Sequence, residues 1–435
     1  MLKAGFSRVD VTPPLGTNLA GYFSKRPARG IHDPIYLNAV AYGDGNNTNI
    51  IIAGDFLSIM EVYATKLRKL ISETVNVPAD NILICALHQH TSGRLGVPPW
   101  TGSIEDKSYL DVLFKKFCDV AKMAKDDMKD AVASTASAET AYKISFIRRY
   151  KMRDGSTVTN PPRQSPDIDR PIGRADNTVR LVRFKRAEGG DIALVNFSTH
   201  PDCIGGLYFS ADWPGCVRRF VEKDLEGARC MVVNGAQGDV NHVDVSVPEG
   251  DPVMEQGFAL SERMGRVIAD TVVRIWNRTA DRKEGRLFSE VDMTETPSNR
   301  EGAEKKDYYA KIMDEYNSGL KKYSATVLGK ARRVLNLDLT PIKIVIPVTV
   351  QGFSDVVFVG FGGEPFSDYA AKMREAAPES FVITCGLANG QEGYLPTADA
   401  FAEGGYEADS SRFTKSLPDD LQNAARRMLK KYDVK

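Results

Sequence analysis

Five histidines occur in the 435-residue chain, and four of them follow strand-like apolar runs. His88 and His90 stand in Leu87-His88-Gln89-His90-Thr91-Ser92-Gly93, directly after Asn81–Leu87. If the strand extends that far, residues two apart share a face and both imidazoles converge. Imidazole is the commonest metal ligand, and a pair at a strand's end beside a glycine turn suits a pocket. Two hydrogen-bonded surface histidines would give the same pattern. His200 closes Asn196-Phe197-Ser198-Thr199-His200, and His242 sits in the glycine-rich turn Gly235–His242 after Arg229–Val233. His32, in Gly30-Ile31-His32-Asp33-Pro34, reads as a turn histidine bonded to Asp33 or to backbone. Among the carboxylates, Glu364 follows Val356–Val359 in Phe361-Gly362-Gly363-Glu364, as a ligand or as a cap for the next helix. Tyr394 and Tyr406 belong to the glycine-punctuated stretch Gly386–Tyr406.

The elements that must position these residues are legible as alternating runs. Strands are expected at Asn49–Phe56, Asn81–Leu87, Asp191–Thr199, Arg229–Asn234, Lys343–Val350, Val356–Gly362 and Phe381–Leu387. Apolar residues at three- and four-residue spacings predict helices at Ser58–Val75, Ser108–Lys129, Gly257–Trp276 and Asp419–Tyr432. The fold class is therefore α+β, mixed β-sheets flanked by helices. Glu301–Val334 reads as a charged helix or helix pair suited to a protruding arm. Arg153–Arg174, with Pro161, Pro162, Pro166 and Pro171, reads mostly as loop, of the kind that forms lids and pocket walls. No internal repeat or low-complexity linker is visible, so residues 1–435 are expected to form a single domain.

Composition narrows the function classes. Lys plus Arg and Asp plus Glu each number 57, so the formal charge is zero and no global field draws nucleic acid. No stretch approaches the roughly 20 apolar residues needed to span a bilayer. The N-terminus lacks the pattern of a secretory leader and reads as cytoplasmic, or as secreted or periplasmic if a leader has been removed. The six cysteines form no C-x-x-C pair, and they read as free buried thiols rather than a disulfide or zinc framework.

Taken together, Ala4–Pro13, Gly30–Pro34, Ala53-Gly54-Asp55 and His88–Gly93 agree in order and spacing with a known family. The chain resembles the catalytic domain of the neutral/alkaline (non-lysosomal) ceramidases, zinc-dependent amidases that cleave N-acyl sphingosine. The resemblance implies a Zn²⁺ ion held by His88, His200, Glu364 and Tyr394, with a bound water activated for attack on an amide. It further implies His90 beside the ligands, Tyr406 near the scissile carbonyl, and Arg149, with Arg148 an equally close neighbour, as the arginine of the site. Two departures stand out. Asn241 replaces the family's active-site serine and is followed by His242, which makes both candidate pocket residues. The resemblance also covers the catalytic domain alone, without that family's C-terminal immunoglobulin-like domain. The expected partner is a lipid or small-molecule substrate. The alternatives are the same metal scaffold acting on a small N-acyl compound, an ester or a glycoconjugate, and a non-catalytic binding protein on this fold.

Overall fold

The computed structural model describes residues 1–96, 102–248, 250–251, 257–432 and 434. Strands Lys3–Asp10 (β1), Tyr36–Gly43 (β2), Thr48–Gly54 (β3) and Ile82–Ala86 (β4) pair in that order, two antiparallel joints and then a parallel one. A parallel joint needs a crossover. Helix Glu61–Val75 (α1) supplies it, and Lys107–Asp126 (α2) follows β4.

The same order of elements recurs twice. Lys129–Glu139 (β5), Thr178–Arg186 (β6) and Ile192–Phe197 (β7) pair antiparallel, and helix Asp212–Asp224 (α3) crosses to the parallel strand Arg229–Asn234 (β8), followed by Phe258–Ile275 (α4). In the third unit Leu287–Pro297 (β9) leads through helices Lys306–Asn317 (α5) and Ala325–Leu335 (α6) to Lys343–Phe353 (β10) and Val356–Phe361 (β11). Helix Ser367–Ala376 (α7) then crosses to the parallel strand Phe381–Cys385 (β12). Ala398–Glu403 (α8), Tyr406–Ser410 (α9) and Leu417–Lys431 (α10) complete the chain. Three β-β-β-α-β units thus follow one another, which corrects the expectation of no internal repeat. The repeat is one of topology, and loops of unequal length disguise it in the sequence.

Units one and two join through Lys3↔Asp130 and Ala4↔Lys129 into one long sheet, ordered β8-β7-β6-β5-β1-β2-β3-β4, with Ala280–Asp281 added to β5. Unit three forms a separate four-stranded sheet. The two sheets meet across a central apolar layer that includes Tyr42, Ile51, Leu83, Phe184, Met231, Phe353, Phe358 and Ile383. The opposite faces are covered by α1 and α2, by α3 and α4, and by α7 and α10, as the amphipathic spacing of those helices requires. All seven expected strands and all four expected helices are present, with ends shifted by a few residues.

Two expectations about connecting segments change. Within Arg153–Arg174, Thr157–Thr159 and Ile168–Pro171 pair with Arg149–Met152 as a small three-stranded sheet. Its prolines fall in the turn after Asn160 and at the end of the strand Ile168–Pro171, where a missing N–H is tolerated. Glu301–Val334 is a helix pair, but not an arm. Tyr309, Ile312, Leu328, Ala331 and Val334 close its own small core. Helix α6 packs so closely on α9 that a Cβ at Gly329 would lie 2.8 Å from Ser410 Cβ and 3.1 Å from Tyr406 Cε2.

All six cysteines are free thiols, four of them buried. Among the described residues no helix is long and apolar enough to cross a membrane.

Candidate metal centre and its cavity

Where two parallel strands end side by side, the following loops diverge over a crevice, the usual place for a ligand in such sheets. Each unit has one such place, and the three converge. The loop after β3 brings the Leu57 carbonyl, and the loop after β4 brings His88, whose Nδ1 bonds that carbonyl at 2.8 Å. In unit two the roles are exchanged: the loop after β7 carries His200, and its Nδ1 lies 2.8 Å from the Gln237 carbonyl after β8. Unit three contributes Glu364 after β11 and Tyr394 after β12, and these loops continue the parallel pairing as Glu364↔Tyr394.

A backbone carbonyl on Nδ1 fixes each ring as the Nδ1–H tautomer and turns the Nε2 lone pair inward. Both Nε2 atoms point at one carboxylate oxygen: Glu364 Oε2 lies 3.2 Å from His88 Nε2 and 3.4 Å from His200 Nε2. The other carboxylate oxygen accepts from Gln391 Nε2 at 2.9 Å. Glu364 Oε2, His200 Nε2 and both ring nitrogens of His90 are buried without a hydrogen bond among the described residues. Orphaned buried donors and acceptors are uncommon in native structures, and a convergent group of them fits a cation. His88, His90 and His200 offer ligand atoms that lie within 4.8 Å of one another. Burial lowers the proton affinity of His90 well below the ordinary imidazole range and lowers that of His200 as well, so both rings are neutral and their lone pairs free at neutral pH.

The route by which His88 and His90 meet differs from the simple strand argument. Strand β4 stops at Ala86, and His88 adopts φ 78°, a left-handed conformation that costs a histidine energy and turns the chain sharply. The rings still stand 5.2 Å apart, edge to face. A buried ion pair braces this turn. Arg218 donates to both oxygens of Asp55 at 2.9 and 2.6 Å, and Gln89, between the two histidines, donates to Asp55 Oδ1 at 3.0 Å. Gly21, at φ +100°, approaches from the other side, where a Cβ would sit 2.6 Å from the His90 ring.

The tyrosines lie on the unit-three side. Tyr394 stacks toward His200 with ring centroids 6.4 Å apart and meets Tyr406 edge to face at 5.6 Å. Burial raises the pKa of both phenols, that of Tyr394 well above the usual value, so both are protonated. Of the two adjacent arginines, Arg148 has its guanidinium 5.2 Å from the Tyr394 ring; it is ion-paired with Glu407 at 2.7 Å and donates to the Gly238 carbonyl at 2.8 Å. Arg149 turns to the opposite side, bonding the Gly404 carbonyl at 2.8 Å and lying 3.4 Å from Glu403. Arg148 lies between the short strands Phe146–Ile147 and Arg149–Met152, outside both, and Arg149 Nε also comes within 3.7 Å of the other oxygen of Glu407.

Asn241 and His242 do not line the cavity above the histidines. Asn241 bonds Asn160 at 3.1 Å and the Val243 N–H at 3.0 Å, fastening two loops, and His242 Nδ1 pairs with Asp202 at 3.2 Å. His32 stacks on Phe258 with ring centroids 3.7 Å apart and lines a different cleft, with Asp33 and Arg219. The cavity has a volume of about 180 Å³ and opens over His88, His90, Glu364, Tyr394 and Tyr406. Its rim comes from the long excursions between the first and second strands of units one and three: Tyr22 and Phe23 from the first, Arg332 and Asn336 from the third. The sequence reading did not single out Asp55 with Arg218, Gln391, Arg94 or Arg332. Only Arg94, directly after the histidine motif, offered a local signal.

No family model matches the sequence, and no curated relative is detected. Solved structures do match. The neutral ceramidase from Pseudomonas aeruginosa superposes with a TM-score of 0.72 at 14% identity, covering 98% of this chain and 73% of that one. A ceramidase complexed with C2 gives 0.73 at 15% identity, over 98% and 74%. Across almost its whole length, the chain has the neutral ceramidase fold.

Proposed function

We propose that the protein is a zinc-dependent amidohydrolase that cleaves the amide bond of an N-acyl substrate. The observation that carries this reading is the convergence of His88 Nε2 and His200 Nε2 on Glu364 Oε2, each ring fixed by a carbonyl behind it. These three residues would hold the ion, with Tyr394 as fourth ligand. Bound there, a divalent cation supplies Lewis acidity and lowers the pKa of a water from about 15.7 toward ~7.

The chain's own residues do the rest. His90, neutral and with no hydrogen bond on either nitrogen among the described residues, accepts the proton of the attacking water and returns it to the leaving nitrogen as the C–N bond breaks. Tyr406, protonated through burial and lining the cavity, donates toward the carbonyl oxygen as negative charge develops there, and Arg148, charged beside Glu407 and 5.2 Å from the Tyr394 ring, supports the tyrosines from behind.

A second reading, the same machinery on a non-ceramide substrate, is favoured by the cavity. Pockets that enclose drug-sized ligands measure roughly 300–1,000 Å³. The 180 Å³ here suits a compact group at the reacting end. Metal analysis by mass spectrometry, paired with hydrolysis of a fluorogenic N-acyl sphingosine, separates the readings. About one zinc per chain with turnover supports a ceramidase-like amidase, zinc without turnover supports the second reading, and no metal under zinc-replete conditions refutes both. His88→Ala should remove metal and activity together; stoichiometric zinc retained in that variant would refute the ligand set.

A further inference from the structure

The cavity above the histidines carries positive charge that a neutral amide substrate does not use. Among its lining residues, Arg412 is ion-paired with Glu392, and Arg333 donates to the carbonyls of Asp409, Asn299 and Glu301. Arg332 of α6 is different. It donates to the Phe23 carbonyl at 3.0 Å and lies 4.3 Å from the Phe23 ring, and among the described residues it meets no carboxylate.

Arg94 lines the same cavity as Arg332. Burial brings the pKa of Arg94 down to about 10; the charge of Glu364 opposes that shift, and the charge of Arg332 adds to it. Two guanidinium groups drawn into one partly desolvated cavity repel each other. An anionic group brought into that cavity would be offered charge-assisted hydrogen bonds by Arg332.

We propose that Arg332, supported by Arg94 in the same cavity, is the specificity-determining residue for a substrate that carries an anionic group, a carboxylate or a sulfonate, close to the scissile amide. This rests on the amidohydrolase reading for the bond cleaved, but not for the binding of the anion. A ceramide, which is neutral, brings no counter-charge to Arg332, and the small cavity fits a short acid better than a sphingoid chain.

Three N-octanoyl amides of similar length make the test: N-octanoylglycine, N-octanoyltaurine and the neutral N-octanoylethanolamine. Turnover is measured on the zinc-loaded protein, and binding by calorimetry on the metal-free protein, where no cation can attract the anion. The expected result is at least about tenfold higher kcat/KM and tighter binding for an anionic member than for the neutral one. In Arg332→Gln that ratio should fall toward one, and Arg332→Lys should restore part of it, which a merely structural role would not do. The glycine and taurine arms separate carboxylate from sulfonate recognition. A neutral amide that equals the anions in both measurements, or a ratio unmoved in Arg332→Gln, overturns the proposal while leaving the amidohydrolase reading intact. Binding that depends on Arg332 with none of the three amides cleaved supports the anion site and counts against the amidohydrolase reading.

Discussion

Replacing Asp55 with asparagine keeps the shape of the side chain and removes its charge, and the structure sets the size of the effect. Both carboxylate oxygens are fully engaged: Oδ1 accepts from Gln89 at 3.0 Å and Arg218 at 2.9 Å, and Oδ2 from Arg218 at 2.6 Å and the Tyr36 N–H at 2.8 Å. Whichever way the new amide is turned, its NH₂ faces two donors, so two hydrogen bonds are lost at about 1–2 kcal/mol each. Arg218, only 3% exposed, also loses its counter-charge. Breaking a buried pair from one side costs about 3–5 kcal/mol, and that is the destabilisation expected in urea denaturation of Asp55→Asn. Because Gln89 loses its anchor between His88 and His90, zinc affinity should fall about 10- to 100-fold, the usual effect of removing a group that orients metal ligands. Competition with a chromophoric chelator measures it. A destabilisation under about 1 kcal/mol with unchanged zinc affinity would refute the argument that this ion pair braces the histidine turn.

Two further predictions concern a buried acid and a close approach. Burial raises the pKa of Asp212 to about 6, whereas in the unfolded chain it titrates near ~3.9. The folded protein therefore holds the proton that the unfolded chain releases, so this group's contribution to stability falls as pH rises from about 4 to 6 and stays low above. Asp212→Asn, which tolerates the φ of 51°, should gain up to about 3 kcal/mol over the parent at pH 8 and little at pH 4; an equal gain at both would refute the assignment. At Gly238 a Cβ would lie 2.4 Å from the Glu364 carbonyl oxygen, so Gly238→Ala should shift the Glu364 loop and weaken zinc binding about tenfold or more, read by the same chelator competition.

The sequence made the continuous apolar strands legible because their residues are buried on both faces, as in β4 and β11. It hid β1, β5, β6 and β9, where polar residues alternate with apolar ones and the signal is weaker, as in Thr178–Arg186, and it passed over β2, whose buried run YLNAVAYG is built largely of small residues. His88, His200 and Glu364 could be picked out because each closes an apolar strand. Arg148 could not be separated from Arg149 because adjacent arginines give the same local signal, and only partners far along the chain part them. Arg218 and Arg332, and the bracing role of Asp55 within Ala53-Gly54-Asp55, were hidden for another reason: their surroundings are built from residues far away in the chain, and only the packing of separate units brings them together.

The division between floor and rim has a consequence for how such a protein can change. The candidate metal ligands hang from the ends of parallel strand pairs that are locked into the central apolar layer, so almost any alteration there disturbs the whole molecule. The residues that would meet the variable part of a substrate ride instead on excursions between the first and second strands of a unit, such as α5 and α6, with a small core of their own. Those segments can be lengthened, exchanged or recharged without rebuilding the scaffold that holds the histidines. A scaffold divided in this way could serve different compounds with one floor, and exchanging residues 298–342 between chains of this fold is the direct way to move a binding preference from one to another.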